Sequence, residues 1–416
     1  MRLAILDQRA NPGGSVRYLR ALILNLKAVR PEAEIVLFID EKTVFGEDYD
    51  DIKGACRIRT MPGLVDGLAA RSIFSPHKSR LRWIASNFKH RRSIEATRKG
   101  LHSMGFRRRI VRELNAFNCV YLPWPFLLRL PRGLTVPVVA TFHDFNWKHG
   151  FPGVFMPAMV QDLERQTPDW LRTCSKIVVS SDFILSELEH YYPEYASKAT
   201  TVRLSNFNTS RLAEGEAREI VAGLGVPRDY ILYPANVCAH KNVDMLVEAL
   251  GLMEGERPVL VLTGPGMDDL AAVRDIGESM KRSGLVFGKD ILGLGYVGHN
   301  EIDALLQEAR AVVSPSLYEA GCGPGLEAWA LGVPVVFSNI PSFIEHLEKL
   351  GVYAYVFDPA SPKDIASKIG ECMRSSQKTR EMVKASKKAM ASLTWDKVAC
   401  EYWAVFDRAS GKLQNR

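Results

Sequence analysis

Residues 311 to 336 read Ala-Val-Val-Ser-Pro-Ser-Leu-Tyr-Glu-Ala-Gly-Cys-Gly-Pro-Gly-Leu-Glu-Ala-Trp-Ala-Leu-Gly-Val-Pro-Val-Val. The apolar runs at its two ends are strand-sized and carry no polar alternation, as in strands buried on both faces of a parallel sheet. Between them lie a Gly-rich loop and a short helix that Gly332 and Pro334 stop. In an open α/β sheet, ligands bind at the carboxyl edge. The first strand delivers Glu319 to that edge and Glu327 falls just inside the helix, so both carboxylates are expected to face one ligand. Gly321, Gly323 and Gly325 remove side chains that would hold a ligand away from the backbone. The backbone from Gly321 through Cys322 to Leu326 then offers helix N-terminal N–H groups to an anion such as a diphosphate. The plainer alternatives are a dipole-complementing Glu327 and a solvated Glu319.

At 416 residues the chain exceeds one ordinary core, which points to two domains. Apolar runs alternate with helical stretches twice over. The first set is Leu3–Leu6, Ile35–Ile39, Val120–Leu122, Val138–Phe142 and Ile177–Ser180; the second is Tyr230–Tyr233, Val259–Thr263, Ile291–Tyr296, Ala311–Ser314 and Val335–Ser338. Asn206 to Glu219, polar and weakly periodic at its start, reads as the linker. The expected division is residues 1–208, 209–393 and a terminal helix in 394–416, with Thr394 as its cap and Val398, Tyr402 and Phe406 at helical spacing. Hydrophobic content of 47% and charged content of 24% are those of globular proteins. No apolar run approaches the roughly 20 residues of a spanning helix, and Met1 runs directly into a strand, so a cytoplasmic protein is expected. Seven scattered cysteines, without a Cys-x-x-Cys pair, read as reduced and mostly buried thiols.

Three further constellations carry chemistry. After the first strand, Asn11-Pro-Gly-Gly-Ser-Val-Arg precedes a helical pattern, and Gly13 and Gly14 let a phosphate or an acceptor approach the backbone, although a tight turn also explains them. The full Gly-x-Gly-x-x-Gly fingerprint is missing, which weakens an oxidoreductase reading. Tyr230-Ile-Leu-Tyr-Pro-Ala-Asn-Val-Cys-Ala-His-Lys-Asn places Lys241 where a strand-end loop meets a helix; its ammonium is suited to charge growing on a departing diphosphate, unless it is a surface lysine with Asn242 as cap. Thr141-Phe-His-Asp sets His143 and Asp144 at a strand end, His143 to hold a sugar hydroxyl and Asp144 to orient it or engage the acceptor. Ser181 or Asp182 reads as a cap, with Arg203 a minor candidate, and Gly264-Pro265-Gly266 as a turn near the nucleotide. Asp48, Asp50, Asp51, Asp268 and Asp269 read as surface acids, not metal ligands.

The Glu-x7-Glu spacing with Pro324 between, followed by Glu-Ala-x-Ala-x-Gly-x-Pro-Val, resembles the nucleotide-binding signature of the group 1 (family 4) GT-B glycosyltransferases. Lys241-Asn-x-x-x-Leu-x-x-Ala, Pro234-Ala-Asn and the His143-Asp144 pair are similar to that family too. The resemblance implies two Rossmann-like doubly wound domains facing across a cleft, the first binding acceptor and the second donor, with the final helix crossing back. It implies a retaining hexosyltransferase using a nucleoside-diphosphate sugar, with no metal cofactor; no nucleic acid is expected as a partner, because no recognised nucleic-acid-binding motif accompanies the basic residues. Glu319 would bind sugar hydroxyls, Glu327 the ribose, Lys241 and the Gly321–Leu326 backbone the diphosphate, and the backbone around Val297 the nucleobase. Asn236 and Val237 stand where many members have Gly-Arg, which shifts phosphate neutralisation toward Lys241. Similarity to bacterial polysaccharide mannosyltransferases tilts the donor toward GDP-mannose. A phosphorylase or hydrolase on the same fold, or a non-catalytic nucleotide-sugar binder, is the alternative.

Net charge is +7, and residues 71–113 carry thirteen Arg and Lys against Glu95 and Glu113, with Phe74, Trp83, Phe88 and Phe106 interleaved. This pattern fits either an interfacial segment on anionic lipid presenting a saccharide or polyprenyl-linked acceptor, or an ordinary solvated basic face.

Overall fold

The computed structural model describes residues 1–7, 14–40, 51–61, 109–125, 133–207, 211–255, 257–374 and 376–411. Their strands are β1 Arg2–Leu6, β2 Glu34–Asp40, β3 Arg57–Met61, β4 Cys119–Leu122, β5 Val138–Phe142, β6 Lys176–Val179, β7 Ala199–Thr201, β8 Tyr230–Pro234, β9 Val259–Thr263, β10 Ile291–Gly293, β11 Ala311–Ser314, β12 Val335–Ser338 and β13 Tyr355–Phe357. Among the described residues they form two parallel sheets, ordered β3-β2-β1-β4-β5-β6-β7 and β10-β9-β8-β11-β12-β13. Each order reverses once, between β1 and β4 and between β8 and β11. Such a reversal opens a crevice beyond the carboxyl ends of the two strands, because their connections leave to opposite faces. Lys241 and Glu319 lie in the segments after β8 and β11, and Gly14 opens the helix that follows β1.

The strands follow from their composition. β4, β5, β11 and β12 are buried at every residue, so Val, Ala and Phe occupy both faces and helices must cover both. Four apolar clusters result, two around each sheet. β10 stops at Gly293 and not at Tyr296. A Cβ at Gly293 would lie 1.8 Å from the Met267 carbonyl oxygen, and Gly295 turns the chain away at φ 64°. β3, β7 and β13 complete the sheets although the sequence reading did not place them; they are short edge elements with mixed burial.

The linker is shorter than the polar composition implied. A helix spans Glu214–Gly223, and its Ala217 and Val221 join the second sheet's core. The last helix, Trp395–Ala409, packs against the first sheet: Trp395, Val398, Tyr402, Trp403 and Phe406 share a cluster with Leu19, Leu22 and Leu26 of the helix Gly14–Val29. A buried hydroxyl cluster fixes its register. Tyr18 is hydrogen-bonded to Tyr121 and, at 2.6 Å, to Tyr402, while Tyr121 meets Thr141 at 2.7 Å. Thr394 occupies the N-cap position, but its side chain makes no capping bond. Among the described residues no helix is long and apolar enough to cross a membrane.

Candidate active site

At the carboxyl edge of the second sheet, four side chains from two loops converge. Ser316 Oγ donates to Glu319 Oε1 at 2.7 Å, and Lys241 Nζ donates to the same oxygen. Tyr233 reaches up from β8, its hydroxyl 2.9 Å from Ser316 Oγ and 3.1 Å from the Lys241 carbonyl oxygen. Lys241 closes a short 3-10 turn, and Asn242 follows in the left-handed region at φ 57°. Asn242 is no side-chain cap; its Nδ2 donates to the carbonyls of Pro315 (3.0 Å) and Pro359 (2.9 Å), clamping the lysine loop to the glutamate loop. A partly buried ion pair held this way interacts more strongly than one in bulk water. Neighbouring His240 is buried, which lowers its imidazole to about 4, with Lys241 pushing the same way.

The glycines between the two glutamates divide by role. A Cβ at Gly323 would meet nothing within 4 Å, so this position opens onto space. A Cβ at Gly325 would sit 2.6 Å from Cys322 Sγ, so that glycine is required by packing, and Gly321 lies against His346. Cys322 does not fit the anion-binding role expected for it. Its N–H donates to His346 Nε2 at 3.0 Å, and burial pushes its thiol up to about 12. Leu326 packs its side chain in the core, and its N–H donates to the Cys322 carbonyl at 2.9 Å. Glu327, in the first turns of the helix Gly323–Leu331, is 3% exposed and paired with Arg17 of the other domain at 2.7 Å; burial raises its carboxyl and Arg17 opposes that rise. Arg17 was written in the motif that drew attention to the glycines, but its long reach across the cleft is not a local property. Gly13 lies outside the described residues, and Gly14 begins the helix Gly14–Val29.

Asn236 Nδ2 donates to Cys238 Sγ at 3.2 Å. Behind it Gly264, at φ 130°, brings its Cα so near Ala235 that a Cβ would lie 2.1 Å from the Ala235 oxygen. The loops after β8 and β9 are thereby stacked backbone to backbone. Val297 packs at the margin of the second sheet's core.

On the first sheet's edge, His143 is flat against Trp124, ring centroids 3.8 Å apart and 20° between planes, with Tyr18 edge-on at 5.0 Å. His143 Nε2 donates to the Pro123 carbonyl at 3.1 Å, so one ring nitrogen is committed to the fold. Asp144 does not orient it as expected; the carboxylate accepts from Asn146 N–H at 3.0 Å in an Asx turn. Burial pushes Asp144 up to about 6; the Asn146 N–H opposes this, the Glu187 and Glu319 charges reinforce it, and Lys241 opposes it. Fields from both domains therefore meet at Asp144.

Asp182 and Arg203 come together just past the carboxyl ends of β6 and β7. Ser181 caps the helix Asp182–Tyr191 by accepting from Ile184 N–H, while Glu345, from the helix Pro341–Leu350, accepts from the N–H groups of Asp182 and Phe183 at 2.8 Å each. Arg203 pairs with both Asp182 and Glu345. This is an interdomain latch built on a helix N-terminus. The basic stretch 71–113 lies outside the described residues except for 109–113, where Ile110 is core and Glu113 pairs with Arg59 at 2.7 Å. No cluster of three metal-ligating side chains occurs among the described residues.

Two parallel sheets, each with its crevice at a reversal of strand order, and a terminal helix returned to the first sheet define the GT-B class. Residues 221–389 match the family described as Glycosyl transferases group 1. The O-antigen chain mannosyltransferase B of Escherichia coli is 29% identical over 283 residues, 66% of this chain and 69% of that protein. HepE of Anabaena, solved with UDP and glucose, superposes with a TM-score of 0.70 at 16% identity, covering 98% of this chain and 100% of that one. WaaG, described as a glycosyltransferase involved in lipopolysaccharide biosynthesis, superposes with a TM-score of 0.65 at 12% identity, covering 98% and 100%. The segment 221–389 is therefore that of a group 1 glycosyltransferase, and the two sheets as a whole have the GT-B fold.

Proposed function

We propose that this glycosyltransferase is a retaining hexosyltransferase that moves mannose from a nucleoside-diphosphate sugar to a hydroxyl of a saccharide or lipid-linked acceptor. The observation that carries the reading is the Lys241–Glu319 pair at the β8/β11 crevice, opposite the edge that holds His143. In this reading the diphosphate displaces Glu319 from Lys241, and the freed carboxylate accepts from sugar hydroxyls. Glu327 leaves Arg17 and holds the ribose, while Val297 and Asn236 border the nucleotide. The bond from the anomeric carbon to the diphosphate oxygen breaks as the acceptor oxygen bonds to the same face. The departing oxygen takes the acceptor proton, so no separate base is used, and Lys241 stabilises the charge that grows there. The likeness to an O-antigen mannosyltransferase supports mannose, and the complex of HepE with UDP and glucose supports a nucleotide-sugar donor. A lipid-linked acceptor at an anionic membrane would give residues 71–113 a partner.

The test is thermal stability and calorimetry with GDP-, UDP-, ADP- and dTDP-sugars, since a ligand of the folded state raises its stability. One series, GDP-mannose by expectation, should stabilise wild type and fail to stabilise Glu327→Ala. No response to any of the four would overturn the reading.

A further inference from the structure

The loop carrying Glu319 is held by side chains that go three ways. Ser316 turns back to Tyr233 of its own domain, Glu319 faces Lys241, and Tyr318 between them leaves its domain altogether. Tyr318 is 4% exposed within the apolar cluster of the first sheet, which also holds Phe145, Trp147, Ile184 and Leu188, and its ring meets those of Phe151 and Phe183. Its hydroxyl donates to Glu187 Oε2 at 2.6 Å and accepts from Phe145 N–H at 3.0 Å. The other oxygen of Glu187 accepts from His149 Nε2, whose ring lies 4.3 Å from that of Tyr318. Phe145 directly follows the His143-Asp144 pair.

Apolar packing asks only for a ring. A buried hydroxyl is favourable only where it is partnered, and both of its partners belong to the other domain. We propose that Tyr318 is a positioning residue: through Glu187 and the Phe145 N–H, its hydroxyl sets Glu319 at a fixed distance and angle from the acceptor edge at His143 and Asp144. This rests on the donor-side role of Glu319 given above. Alignment between an acceptor oxygen and the anomeric carbon is a transition-state property, whereas nucleotide contacts lie within the second domain. Loss of the hydroxyl should therefore act on turnover and on the competition between acceptor and water.

Tyr318→Phe is expected to lower kcat for transfer about tenfold or more while donor Kd stays within about twofold, and to raise donor hydrolysis relative to transfer. Because this variant strands the Glu187 carboxylate, Tyr318→Phe/Glu187→Gln is the companion: it should recover thermal stability without recovering the transfer-to-hydrolysis ratio. If kcat and that ratio return together with stability in the double variant, or if Tyr318→Phe matches wild type, the positioning role is overturned. Wild-type protein that binds no nucleotide sugar would instead sink the functional reading itself.

Discussion

At the edge of the second sheet, Lys241, Glu319, Ser316 and Tyr233 form a single polar knot, whereas at the edge of the first, His143 lies between Trp124 and Tyr18 with one ring nitrogen given to a backbone carbonyl. Both lie at the carboxyl edges of sheets whose strand order reverses once, yet one concentrates charge and the other aromatic rings. In the proposed reading the contrast suits a transfer between unlike ligands. A nucleoside diphosphate is polyanionic and leaves with more charge than it brought, so its site gains from an ammonium fixed beforehand. On the same reading the acceptor saccharide is neutral at its reacting hydroxyl and needs no fixed cation there; Tyr18 and His143 are buried, and Trp124 is the partly exposed ring of the three. Glu187 and Asp144 bring carboxylates to the first domain's side, but one is bonded to Tyr318 and His149 and the other is bent into an Asx turn.

The largest effect should come from breaking the charged edge. Lys241→Ala removes the cation proposed to face the leaving group while Ser316 still holds Glu319, so the loop is kept and the charge is lost. A fall in kcat of about 10²–10³-fold is expected, read by donor turnover with saturating acceptor. Transfer that survives within a few-fold would place the charge stabilisation elsewhere, and the contrast between the two edges would lose its chemical meaning.

A smaller effect concerns how the glutamate loop is held. His346 is buried, and its Nε2 accepts from Cys322 N–H, so it must be unprotonated there; burial lowers it to about 4. The unfolded chain takes up that proton near its ordinary value of 6.5. Stability is therefore complete above about pH 6.5 and is lost as pH falls toward 4, by up to about 3 kcal/mol. His346→Gln keeps an acceptor near the Nε2 position and does not titrate. Its melting temperature should fall less than that of wild type between pH 7 and 4.5, and parallel pH curves would show that this hydrogen bond does not govern acid stability.

Much of this arrangement was legible before the fold, for reasons that differ between residues. Continuous apolar runs announce strands covered on both faces, and Val398, Tyr402 and Phe406 announce the last helix because burial imposes its period on the sequence. Glu319 and Lys241 were legible because each lies in the segment that joins a strand's carboxyl end to the following helix. Tyr318 and Glu187 were not, since they are 131 residues apart and meet only when the two sheets do. The same holds for Arg17 with Glu327 and for Glu345 at the helix Asp182–Tyr191. Gly325 looked like room for a ligand and proved to be room for Cys322, because spacing reports a missing side chain without saying what fills its place. Asn242 misled for a related reason: a residue before a helix reads as a cap, yet its left-handed backbone points the amide into a clamp between loops.

The smallest effect sharpens the contrast from the aromatic side. Asp144 is raised to about 6, first by burial, while its unfolded form ionises at 3.8. The folded state is then unpenalised below about pH 3.8, and the cost of carrying the charge grows until pH 6, above which it is complete. Asp144→Asn keeps an oxygen to accept from Asn146 N–H and removes that cost. It should be more stable than wild type by about 2 kcal/mol at pH 8 and equal to it near pH 4; part of the Asp144 surface still meets solvent, which holds the figure below a full two-unit conversion. Such a gain would mean that the first domain carries a carboxylate it would be more stable without, as expected of a group kept for the acceptor. A variant less stable than wild type at pH 8 would make Asp144 a structural charge, and the acceptor edge would be aromatic alone.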